Sequence, residues 1–128
     1  MRDRRLASAR RAVMVTISPL FADIIRQVLA GRIAIEFAAE IRHRKRLEAR
    51  LLRLQPELVL IGLRRGEDDT IGGTILGTLP RAKVIAFSHD ARNVYVHEML
   101  PHRTELPDFS IEALFSLVSL PSWPAGHF

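Results

Sequence analysis

The sequence predicts an α/β domain built on a five-stranded parallel sheet with right-handed crossover helices. Three observations predict it. Short apolar, β-branched runs alternate with helix-patterned segments five times along the chain. The links between the runs carry helix caps and stops, as crossover helices require. One run, Leu58-Val-Leu-Ile61, is apolar on both faces, as in a strand covered from both sides. The length of 128 residues and an apolar share of 48% suit one domain with one sizeable core.

Each element has its own signal. Residues 1–11 read as a basic lead-in, residues 12–120 as the folded domain and residues 121–128 as a loose tail with two Pro and one Gly. Ala12 to Ile17 is the first strand. Ser18 is a helix N-cap and Pro19 sits at the first helical position. Leu20, Phe21, Ile24, Ile25, Val28 and Leu29 follow at helical spacing, and Gly31 is the stop. Ile33 to Ala38 is the second strand. Arg44 to Leu54 is a basic helix with Leu47, Leu51 and Leu54 on one face, ended by Gln55-Pro56.

Leu58 to Ile61 is the third strand, and residues 64–70 form a polar loop. Ile71 to Leu79 is a weak helix, because Gly72, Gly73 and Gly77 each cost it about 1 kcal/mol against Ala. Ala82 to Ser88 is the fourth strand. Asn93 to Leu100 reads as a short helix stopped by Pro101, and Arg103 to Leu106 as the weakest strand. Ser110 caps a last helix, Ile111 to Leu120, with Glu112 in its first turn. In such a sheet, function sits beyond the carboxyl ends of the strands, here Thr16–Ser18, Gly62–Arg65, Ser88–Asp90 and Pro107–Asp108.

Composition narrows the chemistry. The chain has no Cys, which excludes a disulfide scaffold, a thiolate metal site and a Cys nucleophile. No long apolar run or signal-peptide pattern is present, so the expectation is a cytoplasmic protein without membrane contact. The net charge of +5 is unevenly placed. Residues 1–65 carry 15 basic and 6 acidic groups, and residues 66–128 carry 4 basic and 8 acidic ones. A basic patch of this kind is one footprint of a nucleic-acid binder.

Four segments resemble the receiver domain of bacterial two-component response regulators. Val13-Met-Val-Thr-Ile-Ser-Pro-Leu-Phe21 is similar to that family's first strand and helix start. Gln55-Pro-Glu-Leu-Val-Leu-Ile-Gly-Leu63 is similar to its third strand, and Lys83-Val-Ile-Ala-Phe-Ser88 to its fourth. Asp108 to Leu114 resembles the start of its last helix. The resemblance implies a doubly wound, flavodoxin-like sheet of order 2-1-3-4-5 with helices on both faces. It also implies a place in signalling.

The residues that carry the family's phosphotransfer are mostly replaced. The phospho-acceptor Asp matches Gly62, which has no side chain to attack a phosphoryl donor. The acidic pair that holds Mg²⁺ matches Thr16 and Ile17, which offer no carboxylate. The phosphoryl-binding hydroxyl matches Ser88, and the Lys position matches Pro107. The expectation is therefore a non-enzymatic pseudo-receiver without metal or cofactor, acting by protein contact. The family's docking face implies residues 93–120, with Val94, Val96, Met99, Leu100, Leu106, Ile111, Leu114, Phe115 and Val118 as apolar candidates, and a homodimer through the same face.

Other readings stand beside it. Thr16, Arg64, Arg65 and Ser88 near the strand ends suggest a small-anion or small-ligand sensor. Arg42, Arg44, Lys45, Arg46, Arg50 and Arg53 read as a solvated helix face, or as a basic dock for an acidic protein or nucleic acid. The dock lacks the aromatic residues that stack single strands, so nucleic acid is the third reading. Ser88-His89-Asp90 holds the residue types of a hydrolase triad, but adjacent residues on an extended segment point apart. Gly66 to Gly77 lacks Gly-Lys-Ser/Thr and carries three acids, which disfavours a phosphate cradle. Asp68 and Asp69 read as a solvated loop, and the five His show no metal-ligand spacing. Trp123 in the tail reads as folding back on the body.

Overall fold

The computed structural model describes residues 10–30, 34–99, 103–106, 110, 112, 114, 115 and 118. The elements in chain order are β1 (Arg10–Val15), α1 (Pro19–Ala30), β2 (Ile35–Ile41), α2 (Leu47–Leu54), β3 (Leu58–Gly62), α3 (Thr70–Thr78), β4 (Lys83–Phe87), β5 (Val94–His97) and β6 (Arg103–Leu106). Glu112, Leu114, Phe115 and Val118 are helical. The two last residues of the supposed lead-in, Arg10 and Arg11, belong to β1. The rest of residues 1–11 and the whole tail, with Trp123, lie outside the described residues.

The strands form one sheet in the order β2-β1-β3-β4-β5-β6. β1 lies between β2 and β3 and pairs with both in parallel, and β3 pairs with β4 in parallel. The α/β class and the order of the first four strands are as the sequence predicts. The all-parallel, five-stranded expectation is corrected at the fifth position. Residues 94–97 form a strand antiparallel to β4, and β6 is antiparallel to β5. The predicted helix from Asn93 to Leu100 is therefore absent.

Two physical reasons replace that helix by a strand. Val94-Tyr-Val96 alternates, with both valines buried in one core cluster and Tyr95 packed against the other. Period two is the strand period. The link from β4 to β5 is also too short for a crossover: Ser88 N–H donates to Asn93 O at 2.9 Å and closes a hairpin. Two antiparallel steps return β6 to the direction of β4. Its carboxyl end thus faces the same edge as those of β1, β3 and β4, one strand further out. Pro107, just past it, lies outside the described residues.

The pleat divides the core in two. Ala12 and Met14 of β1 pack with Leu58, Leu60, Ile85 and Phe87, and with Ala22, Ile25 and Leu29 of α1. Val13 and Val15 pack with Val59, Ile61, Val84 and Ala86, and with Leu47 and Leu51 of α2 and Ile75 of α3. The strand residues named here are essentially fully buried. Arg26 of α1 ties that helix to β2 through Glu40 at 2.9 Å.

Most of the expected apolar docking face is core. Val94, Val96, Leu114 and Val118 are all under 5% exposed, while Met99 is 55% exposed. Phe115 is half-buried. The side chains of Leu100, Leu106 and Ile111 lie outside the described residues.

The glycines of α3 separate by environment. A Cβ built on Gly72 would stand 2.4 Å from His97 Cδ2, whereas one on Gly73 or Gly77 meets nothing within 4 Å. Gly72 is needed for close approach of the imidazole, and the other two only weaken the helix. Gly73→Ala and Gly77→Ala are therefore expected to stabilise the fold by up to about 1 kcal/mol each, and Gly72→Ala to destabilise it by about 1–3 kcal/mol. Urea denaturation of the three variants checks the split.

Candidate functional site

β1 and β3 come together unusually closely at their carboxyl ends. Thr16, the residue after β1, has φ +48°, a left-handed conformation that a β-branched residue rarely adopts. It is held there from both sides: its N–H donates to Ile41 O at 2.7 Å, and its hydroxyl donates to Gly62 O at 2.9 Å. A Cβ on Gly62 would stand 2.5 Å from the Thr16 carbonyl oxygen. Position 62 is thus closed to any side chain by backbone.

Arg44 sits behind this junction. Its Nη2 donates to Gly62 O at 2.9 Å, and its two terminal nitrogens grip Glu67 at 2.5 Å and 2.9 Å. The side chains of the pair are 11% and 22% exposed. Glu67 Oε1 also accepts the Arg64 N–H at 2.7 Å, and Glu67 N–H donates to Arg64 O. The Arg44 guanidinium, then the Arg64 amide, hold the Glu67 carboxyl below the usual carboxylate range. Arg44 Nε is buried without a hydrogen-bond partner among the described residues.

In front of the junction lies a crevice of about 540 Å³. Thr16, Ile17, Gly62, Arg64, Arg65 and Ser88 all line it, so the expected strand-end residues do meet in space. Arg42 and His89 join them on the rim. Ile17, Pro19, Phe21, Leu63 and Phe87 supply the apolar part. Phe21 and Phe87 meet edge to face, with ring centroids 5.2 Å apart. Ile17 is buried in the core and forms part of the crevice wall.

Ser88 lines the crevice but spends its hydroxyl on the β4–β5 turn. It donates to Asp90 Oδ1 at 2.8 Å and accepts the Asn93 N–H at 3.0 Å. The Ser88 hydroxyl, then the Arg92 amide, hold the exposed Asp90 carboxyl below the usual range. This Ser–Asp contact is direct and leaves exposed His89 out, so no relay runs through the three.

The basic run divides. Arg42, Lys45, Arg46 and Arg53 are exposed, whereas Arg44 and Arg50 are half-buried and turned into the structure. Asp69, read from the sequence as a solvated loop residue, is 6% exposed and lies 2.9 Å from Nε2 of buried His97. The sequence reading missed this pair because it placed His97 on a helix. The only signal was the glycine that makes room for the imidazole. Among the described residues no three His, Asp or Glu side chains gather to hold a metal ion, and no helix is long and apolar enough to cross a membrane.

Comparison with family models, with curated proteins and with solved structures finds no match for this chain.

Two outcomes follow from this geometry. Gly62→Ala is expected to destabilise the fold by about 1–3 kcal/mol, since backbone must give way. Thermal melting beside Gly73→Ala, whose methyl group enters open space, isolates the steric term. Glu67→Gln is expected to cost about 1–3 kcal/mol at neutral pH, as hydrogen bonds to a charged group weaken. Because the folded Glu67 is more acidic than the unfolded one, its contribution is complete above the ordinary Glu value of about 4.3 and lost as pH falls through the lower folded value. The wild type should lose stability more steeply than Glu67→Gln over that acid range, as urea melts at stepped pH will show.

Proposed function

We propose that this chain is a phosphorylation-independent, receiver-like regulatory module that acts in the cytoplasm by binding rather than turnover. The closed junction at Gly62 carries this reading. In the receiver family a side chain at that position takes up the phosphoryl group, and here a Thr16 carbonyl stands 2.5 Å from where its Cβ would be. The Arg44 guanidinium lies on the same carbonyl that joins β1 to β3, so a fixed internal cation neighbours the place where the family holds a metal ion. Support for the doubly wound form, with helices over both faces, comes from the division of the core between α1 on one side and α2 and α3 on the other.

The surface offered to a protein partner is assigned to the exposed cations of the β2–α2 segment, Lys45, Arg46 and Arg53. Residues 93–120 are less suited, since Val94, Val96, Leu114 and Val118 are committed to the core. β2 is an edge strand, so the basic segment that follows it lies at one end of the sheet and Glu98 towards the other. Such a charge-separated surface favours an acidic partner and steers its approach.

Incubation with acetyl phosphate or phosphoramidate and Mg²⁺ is expected to leave the intact mass unchanged. An aspartyl phosphate formed in good yield would overturn the reading. Gly62→Asp is expected not to restore labelling, because the added side chain has no room and no acidic pair accompanies it.

A further inference from the structure

We propose that the crevice beyond β1 is a reversible binding site for an organic phosphate, an apolar or aromatic body that carries one or more phosphate groups. This goes beyond the regulatory reading and stands without it.

The charge around the crevice is the first observation. Its lining contains Arg42, Arg64, Arg65 and His89 and no carboxylate. The acids nearest in sequence are engaged elsewhere: Glu67 holds Arg44 and the Arg64 amide, and Asp90 holds Ser88. Arg42 stands 3.8 Å from Glu40, a loose pair. Neither Arg64 nor Arg65 forms a salt bridge or a side-chain hydrogen bond with a described residue. Among the described residues the lining is therefore net positive, and guanidinium forks match phosphate oxygens in pairs.

The second observation is the distance between the cations. Arg42 follows β2 and Arg64 and Arg65 follow β3, with β1 between them. Strands about 4.8 Å apart put the roots of the two groups roughly 10 Å from each other. A ligand that engages both sides needs a body between them. The surface there is Ile17, Pro19, Phe21 and Leu63, which favours an apolar or ring-shaped body. The volume of about 540 Å³ falls among sites for organic ligands.

Glu67 has a place in this arrangement as a positioning residue. Its carboxylate holds the Arg64 amide while Arg44 holds the carboxylate, so the β3–α3 loop that presents Arg64 and Arg65 is fixed to the junction below.

Titration calorimetry on the full chain, without Mg²⁺ or a phosphoryl donor, tests the proposal. The probes are ADP against pyrophosphate and 1-naphthyl phosphate against inorganic phosphate. Each ring-bearing probe is expected to bind at least ten-fold more tightly than its bare anion. Arg64→Ala with Arg65→Ala is expected to weaken both ring-bearing probes at least ten-fold. Arg11→Ala with Arg81→Ala removes the same charge at positions outside the crevice, and is expected to change little. No binding by either ring-bearing probe at millimolar concentration would overturn the proposal, as would equal affinities for ring-bearing and bare anions. An equal loss in the two double variants would reduce the effect to surface charge and overturn it too. Because binding is read without donor or metal, failure here leaves the phosphotransfer test unaffected.

Discussion

The close contact of two backbones, Gly62 against the Thr16 carbonyl, is the constraint on which the carboxyl edge of the sheet is arranged. With a Cβ at Gly62 the two strand ends would have to separate. Without one, Thr16 turns into a left-handed conformation and returns its hydroxyl to Gly62 O. The conformation is costly for a β-branched residue, of order 1–3 kcal/mol, and persists because neighbouring bonds over-determine it. Arg44 adds a third bond to the same carbonyl and carries Glu67 with it. A chain of contacts thus runs from a missing methyl group to the loop that presents two exposed arginines.

The Thr16 carbonyl and hydroxyl and the Arg44 guanidinium occupy the junction between the ends of β1 and β3, and no carboxylate lines the crevice in front of them. Glu67 is held by Arg44 and the Arg64 amide, so the charged side chains along the crevice are Arg42, Arg64 and Arg65. The proposal of a phosphate bound from solution rests on that arrangement. Tethering of the loop backbone by Arg44 and Glu67 lowers the ordering cost of binding there.

The buried His97–Asp69 pair anchors the other half of the molecule. It joins β5 to the start of α3 beside a glycine that no larger residue can replace without moving the ring. β5 is the strand that departs from the all-parallel expectation, and its imidazole explains why a helix otherwise weakened by three glycines keeps one of them.

Much of the fold was legible from residue order because its signals are local. Apolar runs, the Ser18-Pro19 start and the Gln55-Pro56 stop act over a few neighbours, and they place β1 to β4 and the three helices within a few residues. The strand-end rule likewise put Thr16, Arg64, Arg65 and Ser88 at one crevice. The fifth position was misread because Asn93 to His97 is too short for periodicity to separate helix from strand. What decides it is the hairpin closed by Ser88 and Asn93 and the fit of Val94 and Val96 into an existing core. Nor could composition tell Arg44 from Arg46, or Asp69 from Asp68. Residues one or two apart share a charge, but the backbone turns one of each pair inward, to Glu67 and to His97, and leaves the other exposed. Burial and pairing are properties of approach between distant segments, and only the packed sheet brings those segments together.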